Sequence, residues 1–261
     1  MRKAVLVLFT IGLLSASLYA QSVGTIETRL LAHLSTLQKY SNYRGTRDFD
    51  RLEKENAAFV KDVMRYGTLK SSLAYEFPKL KGKMFIVTSR DGKLRTYSWD
   101  TESGGTMHDF ERVFQYRGRS GKVYTWHRPE TNDADFGGFV HDIFQADTST
   151  GPIYLPVSTF IGSTSLGSQS INTMKINGEK LDPDAKLIRT RSGIRNSVSF
   201  QYDFFSIVDH PERPVKLFKY DPAKQAFTFP VVIEDKRSPQ GRVTGKFITY
   251  RFSGKYFERI S

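Results

Sequence analysis

The chain has 261 residues, no cysteine, and 39 Lys and Arg against 27 Asp and Glu, a formal net charge of +12. The absence of thiols excludes disulfide-stapled secreted scaffolds, zinc ribbons and cysteine hydrolases. The charge points to anionic partners such as lipid headgroups, acidic polysaccharide or an acidic protein, although the basic residues are scattered in a way that also serves solubility alone.

Residues 1–20, MRKAVLVLFTIGLLSASLYA, open with Arg2 and Lys3, continue as an apolar run from Ala4 to Leu14, and end in small residues at Ala20. That is the layout of a secretory signal peptide, and the apolar run is too short to span a bilayer. No later stretch approaches twenty apolar residues, so the mature chain is expected to be soluble, periplasmic or secreted, with no transmembrane segment. Cleavage after Ala20 removes only the charges of Arg2 and Lys3 and leaves a net charge of +10.

Residues 21–80 read as helical. Ile26, Leu30, Leu34 and Leu37 recur at helical spacing, and Leu52, Phe59, Val63 and Tyr66 share the side of a second helix that Asp48 or Asp50 can cap and Gly67 can end. SNYRGTR makes the turn between them, so residues 23–66 form a helical hairpin that needs a surface to lean on.

Residues 81–261 change to a period of two. KMFIVTSRDGKLRTYSWD reads as a hairpin turning at Asp91-Gly92, because both central residues of a type I′ turn need positive φ. RVFQY and KVYTW flank RGRSG, GGFVHDIFQA and PIYLPVSTFIG flank DTSTG, and SINTMKI and KLIRTRS flank NGEKLDPDA. NSVSFQYDFFSIV follows, then VKLFKYD and AFTFPVVIED, then KFITYRF and KYFERI. About twelve short strands are expected, joined as antiparallel meanders. The fold class is therefore α+β, mostly β: an N-terminal helical hairpin before a large β domain, a curled sheet or sandwich, with a propeller as the alternative.

None of the familiar nucleotide, metalloprotease, serine-hydrolase or calcium signatures occurs. Reactive groups concentrate in YSWDTESGGTMHDFERVFQY, residues 97–116. Tyr97 and Trp99 share one strand face; Asp100 and Glu102 enter a loop in which Gly104-Gly105 is expected to do the turning; Thr106 can cap a helical turn. Glu102, His108 and Asp109 are the catalytic candidates, an acid pair with a histidine. Trp99, Glu102, His108, Trp126 and His127 are the ligand-binding candidates. His108, His127 and His141 would resemble a metal site if their hairpins stacked, but no spacing demands one, and neither metal nor cofactor is assigned. His33 and His210 receive no role.

Two further features stand out. STFIGSTSLGSQSINTMKI, residues 158–176, carries no charge before Lys175 and reads as a sheet edge or surface loop whose hydroxyls suit sugars or a partner strand; Ser165 and Ser168 lack the flanks of a nucleophile turn. RGRSGK, RTRSGIR and EDKRSPQGR put cations at turns, a basic rim if those turns gather. The favoured expectation is a non-enzymatic exported protein binding an anionic envelope component or a protein partner, and export argues against nucleic acid. The alternatives are an envelope-directed hydrolase using Glu102 or Asp109 with His108, and an inhibitor or immunity-type protein.

Overall fold

The computed structural model describes residues 22–41, 47–128, 137–236 and 238–260; the expected signal peptide, residues 1–20, lies outside them. Ser22 caps α1 (Val23–Tyr40) by accepting a hydrogen bond from the Thr25 N–H. Asp48 caps α2 (Phe49–Tyr66) in the same way through the Arg51 N–H. Gly67 does follow α2, but for a different reason from the one the sequence suggests. Its φ is −64°, open to any residue, whereas a Cβ there would strike the Thr125 methyl and the Val63 carbonyl. Close approach of a strand is what requires the glycine. One short turn, α3 (Lys70–Ala74), follows, and a 3-10 turn at Pro78–Leu80 precedes the first strand.

Three sheets are described, none of them a closed barrel. The first is a meander of β1 (Phe85–Thr88), β2 (Leu94–Asp100), β3 (Phe110–Arg117) and β4 (Val123–His127). The second has the order β12-β7-β6-β8-β9, with β5 on the other side of β6; these are β5 (Phe139–Ala146), β6 (Ile153–Ile161), β7 (Leu166–Asn172), β8 (Met174–Asn177), β9 (Lys180–Asp182) and β12 (Ser197–Asp203). The third has the order β11-β10-β16-β15-β14-β13, from β10 (Ile188–Thr190), β11 (Gly193–Arg195), β13 (Lys219–Asp221), β14 (Ala226–Asp235), β15 (Ser238–Phe252) and β16 (Phe257–Arg259). No repeated blade supports a propeller. Neighbours run antiparallel except β10 and β16, which pair in parallel and tie the C-terminal strand into the sheet from both sides.

Two expected hairpins are corrected. Ser89–Lys93 form a longer connection in which Gly92 alone of the Asp-Gly pair has positive φ, 66°; the Asp91 carboxylate instead accepts from the Lys93 N–H and the Ser89 hydroxyl. SINTMKI breaks at Thr173, whose hydroxyl is drawn to the Ala185 and Asn196 carbonyls, and its second half pairs with β9 rather than with KLIRTRS. KLIRTRS folds onto β11 and β16.

Apolar side chains stack these elements in layers. The helical pair buries Ile26, Leu30, Leu52 and Phe59 against Tyr97, Trp99 and Val113 of the first sheet, in one shared core. The opposite face of that sheet buries Leu94, Phe114 and Tyr116 with Val140, Ile143 and Tyr154 of the second. Beyond it, Leu155, Val157 and Ile171 meet Phe227, Phe229 and Tyr250 of the third. No described helix is long and apolar enough to cross a membrane.

Candidate functional site

Asp100 pairs with Phe110, so residues 101–109 bridge β2 and β3. The Asp100 carboxylate accepts from the Glu102 N–H at 2.8 Å and also lies 2.6 Å from His108 Nδ1. Thr101 and Ser103 donate their hydroxyls to Asp109 Oδ2, both at 3.2 Å, and Arg47 donates to the Gly104 carbonyl, pinning the loop to the helical pair. The left-handed residue is Glu102 at φ 60°, not either glycine. Gly104 is needed because a Cβ would run into the Met107 carbonyl and the Asp109 N–H. No helical turn starts at Thr106; the His108 N–H is tied instead to the Ile161 carbonyl at 3.0 Å. Burial, then the Asp100 charge, push the Glu102 carboxyl above its usual value, with Ser41, His108 and Arg47 pulling the other way.

The reactive residues are divided between opposite sides of the first sheet. His108 and Asp100 border an apolar cleft of about 420 Å³ with Met84, Phe85, Phe110, Phe139 and Ile161. Asp109 borders a second cleft of about 570 Å³ beneath α2, together with Glu53, Glu111 and His127, where His127 Nε2 lies 2.6 Å from Glu111. His141 borders neither: its side chain is buried on the β5 bulge, and Asp142, 3.6 Å away, is its nearest ionic neighbour. Among the described residues, no group of three or more His, Asp or Glu side chains is placed to hold a metal ion. Trp99 is 0 % exposed, donates its indole N–H to Asn56 at 3.1 Å and packs on Phe59 at 4.2 Å, so it backs the inner wall of the His108 cleft as a packing residue and not as an open platform. Trp126 is half-buried beneath the Arg128 guanidinium.

A larger groove, about 620 Å³, opens on the second sheet. It is the segment expected to be an edge or a surface loop, and the structure corrects that expectation: β7 is an interior strand between β6 and β12. Strand alternation sends one set of side chains outward, and the three strands put them in register. Ser158, Ser170 and Ser199 form one row; Phe160, Ser168 and Gln201 the next; Asn172 and Ser197 a third. All line the groove. Ser158 and Ser170 share a hydrogen bond of 2.8 Å, whereas Ser168, Asn172, Ser197, Ser199 and Gln201 make no side-chain bond to a described residue. At one end the Arg128 guanidinium is drawn to Asp184 at 2.7 Å, and Asn196 donates to the same carboxylate at 2.8 Å. Glu234 also lines the groove.

Only the β6 and β7 share of this groove was visible from the run of hydroxyls. The β12 share carries its own period-two signal in SVSFQ, but register with β7 is a long-range fact that spacing alone does not supply. No protein-family model matches the chain, and no curated protein matches it either.

Proposed function

We propose that this chain is an exported, non-enzymatic binding protein, and that the groove across β6, β7 and β12 holds an uncharged, hydroxyl-rich ligand, an envelope glycan. The registered array of Ser, Asn and Gln side chains carries this reading. Ser hydroxyls and Asn and Gln amides each donate and accept, as sugar hydroxyls do. None of them is a β-branched or aromatic residue favoured in strands, so sheet propensity does not account for them. Ser168, Asn172, Ser197, Ser199 and Gln201 make no side-chain bond to a described residue, so their donors and acceptors are open to a sugar's hydroxyls. The volume falls within the ~300–1,000 Å³ usual for ligand sites. Arg128 is spent on Asp184, so the groove offers little to an anion. The separation of His108 from Asp109 and His127 into different clefts counts against a hydrolytic centre assembled from these residues.

Replacing Ser170 and Ser199 together by valine tests this, because valine suits an outward strand position and keeps the sheet. Migration of the protein through gels containing purified neutral polysaccharides should be retarded, and the double variant should bind at least about fivefold more weakly, as two lost hydrogen bonds of ~0.5–1.5 kcal/mol each imply. His108→Ala should bind like the parent. Unchanged retention in the valine variant, or retention lost with His108, would move the site elsewhere.

A further inference from the structure

A further pocket, about 370 Å³, lies at the far end of the first and second sheets, where four turns meet. Lys93 comes from the β1–β2 turn, Arg117 and Arg119 from the start of the β3–β4 turn, Pro152 from the β5–β6 turn and Gly178 from the β8–β9 turn, with Tyr154 and Ile176 between them. Two turn-to-turn hydrogen bonds hold the gathering: the Arg117 N–H to the Lys93 carbonyl at 2.8 Å, and the Arg119 N–H to the Gly178 carbonyl at 2.9 Å. We infer that this pocket is an oxyanion site of the phosphate class, taking a phosphate ester whose small organic part rests on Pro152, Tyr154 and Ile176.

Three observations meet here. The first is an excess of positive charge, three cations beside the two carboxylates Asp91 and Glu179: neither the Arg117 nor the Arg119 guanidinium forms a hydrogen bond or ion pair with a described residue, and the ion pair of Lys93 with Asp91 is long, at 3.8 Å. The second is that Arg117 Nε is buried without a partner, a donor withdrawn from water and left waiting. The third is that the two neighbouring carboxylates are already occupied. Glu179 accepts from the Ser120 N–H at 2.7 Å and from the Tyr124 hydroxyl at 2.8 Å; Asp91 accepts from the Tyr154 hydroxyl at 2.9 Å, from the Ser89 hydroxyl and from the Lys93 N–H. Backbone N–H groups of the turn are spent internally, so the side chains must do the binding. A planar guanidinium fork matches two oxygens of a phosphate, and a nearby ammonium adds a point charge. The pocket exceeds what a bare phosphate fills, and its remaining wall is apolar, hence the ester.

Calorimetric titration of the whole chain with glycerol 1-phosphate tests the inference, with glycerol as the uncharged control. Saturable binding to the phosphate ester alone is expected, weakening at least tenfold in Arg119→Gln and in Lys93→Gln, both at exposed positions where folding is not at stake, and weakening as salt is raised. Flotation with phosphatidylglycerol against phosphatidylcholine vesicles then separates the sources: selective flotation places the phosphate on a lipid, and its absence alongside calorimetric binding places it on a soluble ester. Absence of saturable binding to both phosphate probes, or equal affinity in parent and variants, would overturn the site. Neither variant should alter retention on neutral polysaccharide, so this site and the groove fail independently.

Discussion

Trp99→Ala should destabilise the protein by about 3–5 kcal/mol, the range for removing a large buried aromatic side chain, read as a fall in the urea midpoint. Trp99 has no exposure, lies on Phe59 of α2, and donates to Asn56, which in turn donates to the Leu52 and Thr101 carbonyls. One substitution therefore opens a cavity between the helical pair and the first sheet and leaves the buried Asn56 oxygen without its donor. Trp99→Phe separates the two effects: it keeps most of the ring and loses the N–H, and should cost about 1–3 kcal/mol. A midpoint unmoved by Trp99→Ala would mean that the helices do not lean on this sheet.

Asp62→Ala should cost about 1–3 kcal/mol and also change the acid limb of the stability curve. Asp62 is buried between α1 and α2, where Arg29 donates to it and His33 Nε2 lies 3.0 Å away; the other ring nitrogen of His33 is 2.6 Å from Glu55. Burial works against the Asp62 charge, but the hydrogen bonds from His33 and Arg29 and their charges outweigh it and hold the carboxyl below its usual value. The sign follows. A carboxylate with a depressed folded pKa contributes stability that is present above its unfolded pKa and is lost as pH falls through the folded one. Unfolding titrations between about pH 5 and pH 2 should show parental stability dropping more steeply than that of Asp62→Ala. The slope should not vanish, because Asp142, half-buried and paired with His141 and Lys216, is depressed as well. Parallel curves would place the Asp62 interaction outside the folding equilibrium.

Local pattern made much of this fold legible. Leucine spacing gave α1 its bounds, and alternation with turn residues located most strands, because these are one-dimensional signals of helix faces and strand faces. What depended on contacts far apart in sequence was not legible. Gly67 was placed correctly with the wrong cause, since the methyl that demands it comes from Thr125. His33 offered no chemistry in its own helix, yet Glu55 and Asp62 close on it from the next. Trp99 stands among the ligand-binding candidates because half-buried and fully buried strands alternate alike until a helix covers one face.

The reactive loop shows the same limit. Asp100 and His108 do converge, but Asp109 lines the cleft on the α2 side with His127, and alternation alone does not say on which side a loop residue emerges. The basic rim was conditional on three turns gathering; RGRSGK meets Lys93 at one end, but the described residues of RTRSGIR and EDKRSPQGR belong to the third sheet and do not line that pocket. The hydroxyl run was legible as composition only. Its meaning changed once β12 supplied the third row, turning an expected edge into the floor of a groove.

The most direct test of the groove is a nuclear magnetic resonance titration of the isotope-labelled protein with neutral oligosaccharides, following side-chain amide signals. The account predicts saturable shifts at Asn172, Asn196 and Gln201, which line the groove, with Asn56, enclosed between α2 and the first sheet, unmoved. Shifts centred on the imidazoles of His108 or His127, or no saturable shift with any neutral oligosaccharide, would contradict it.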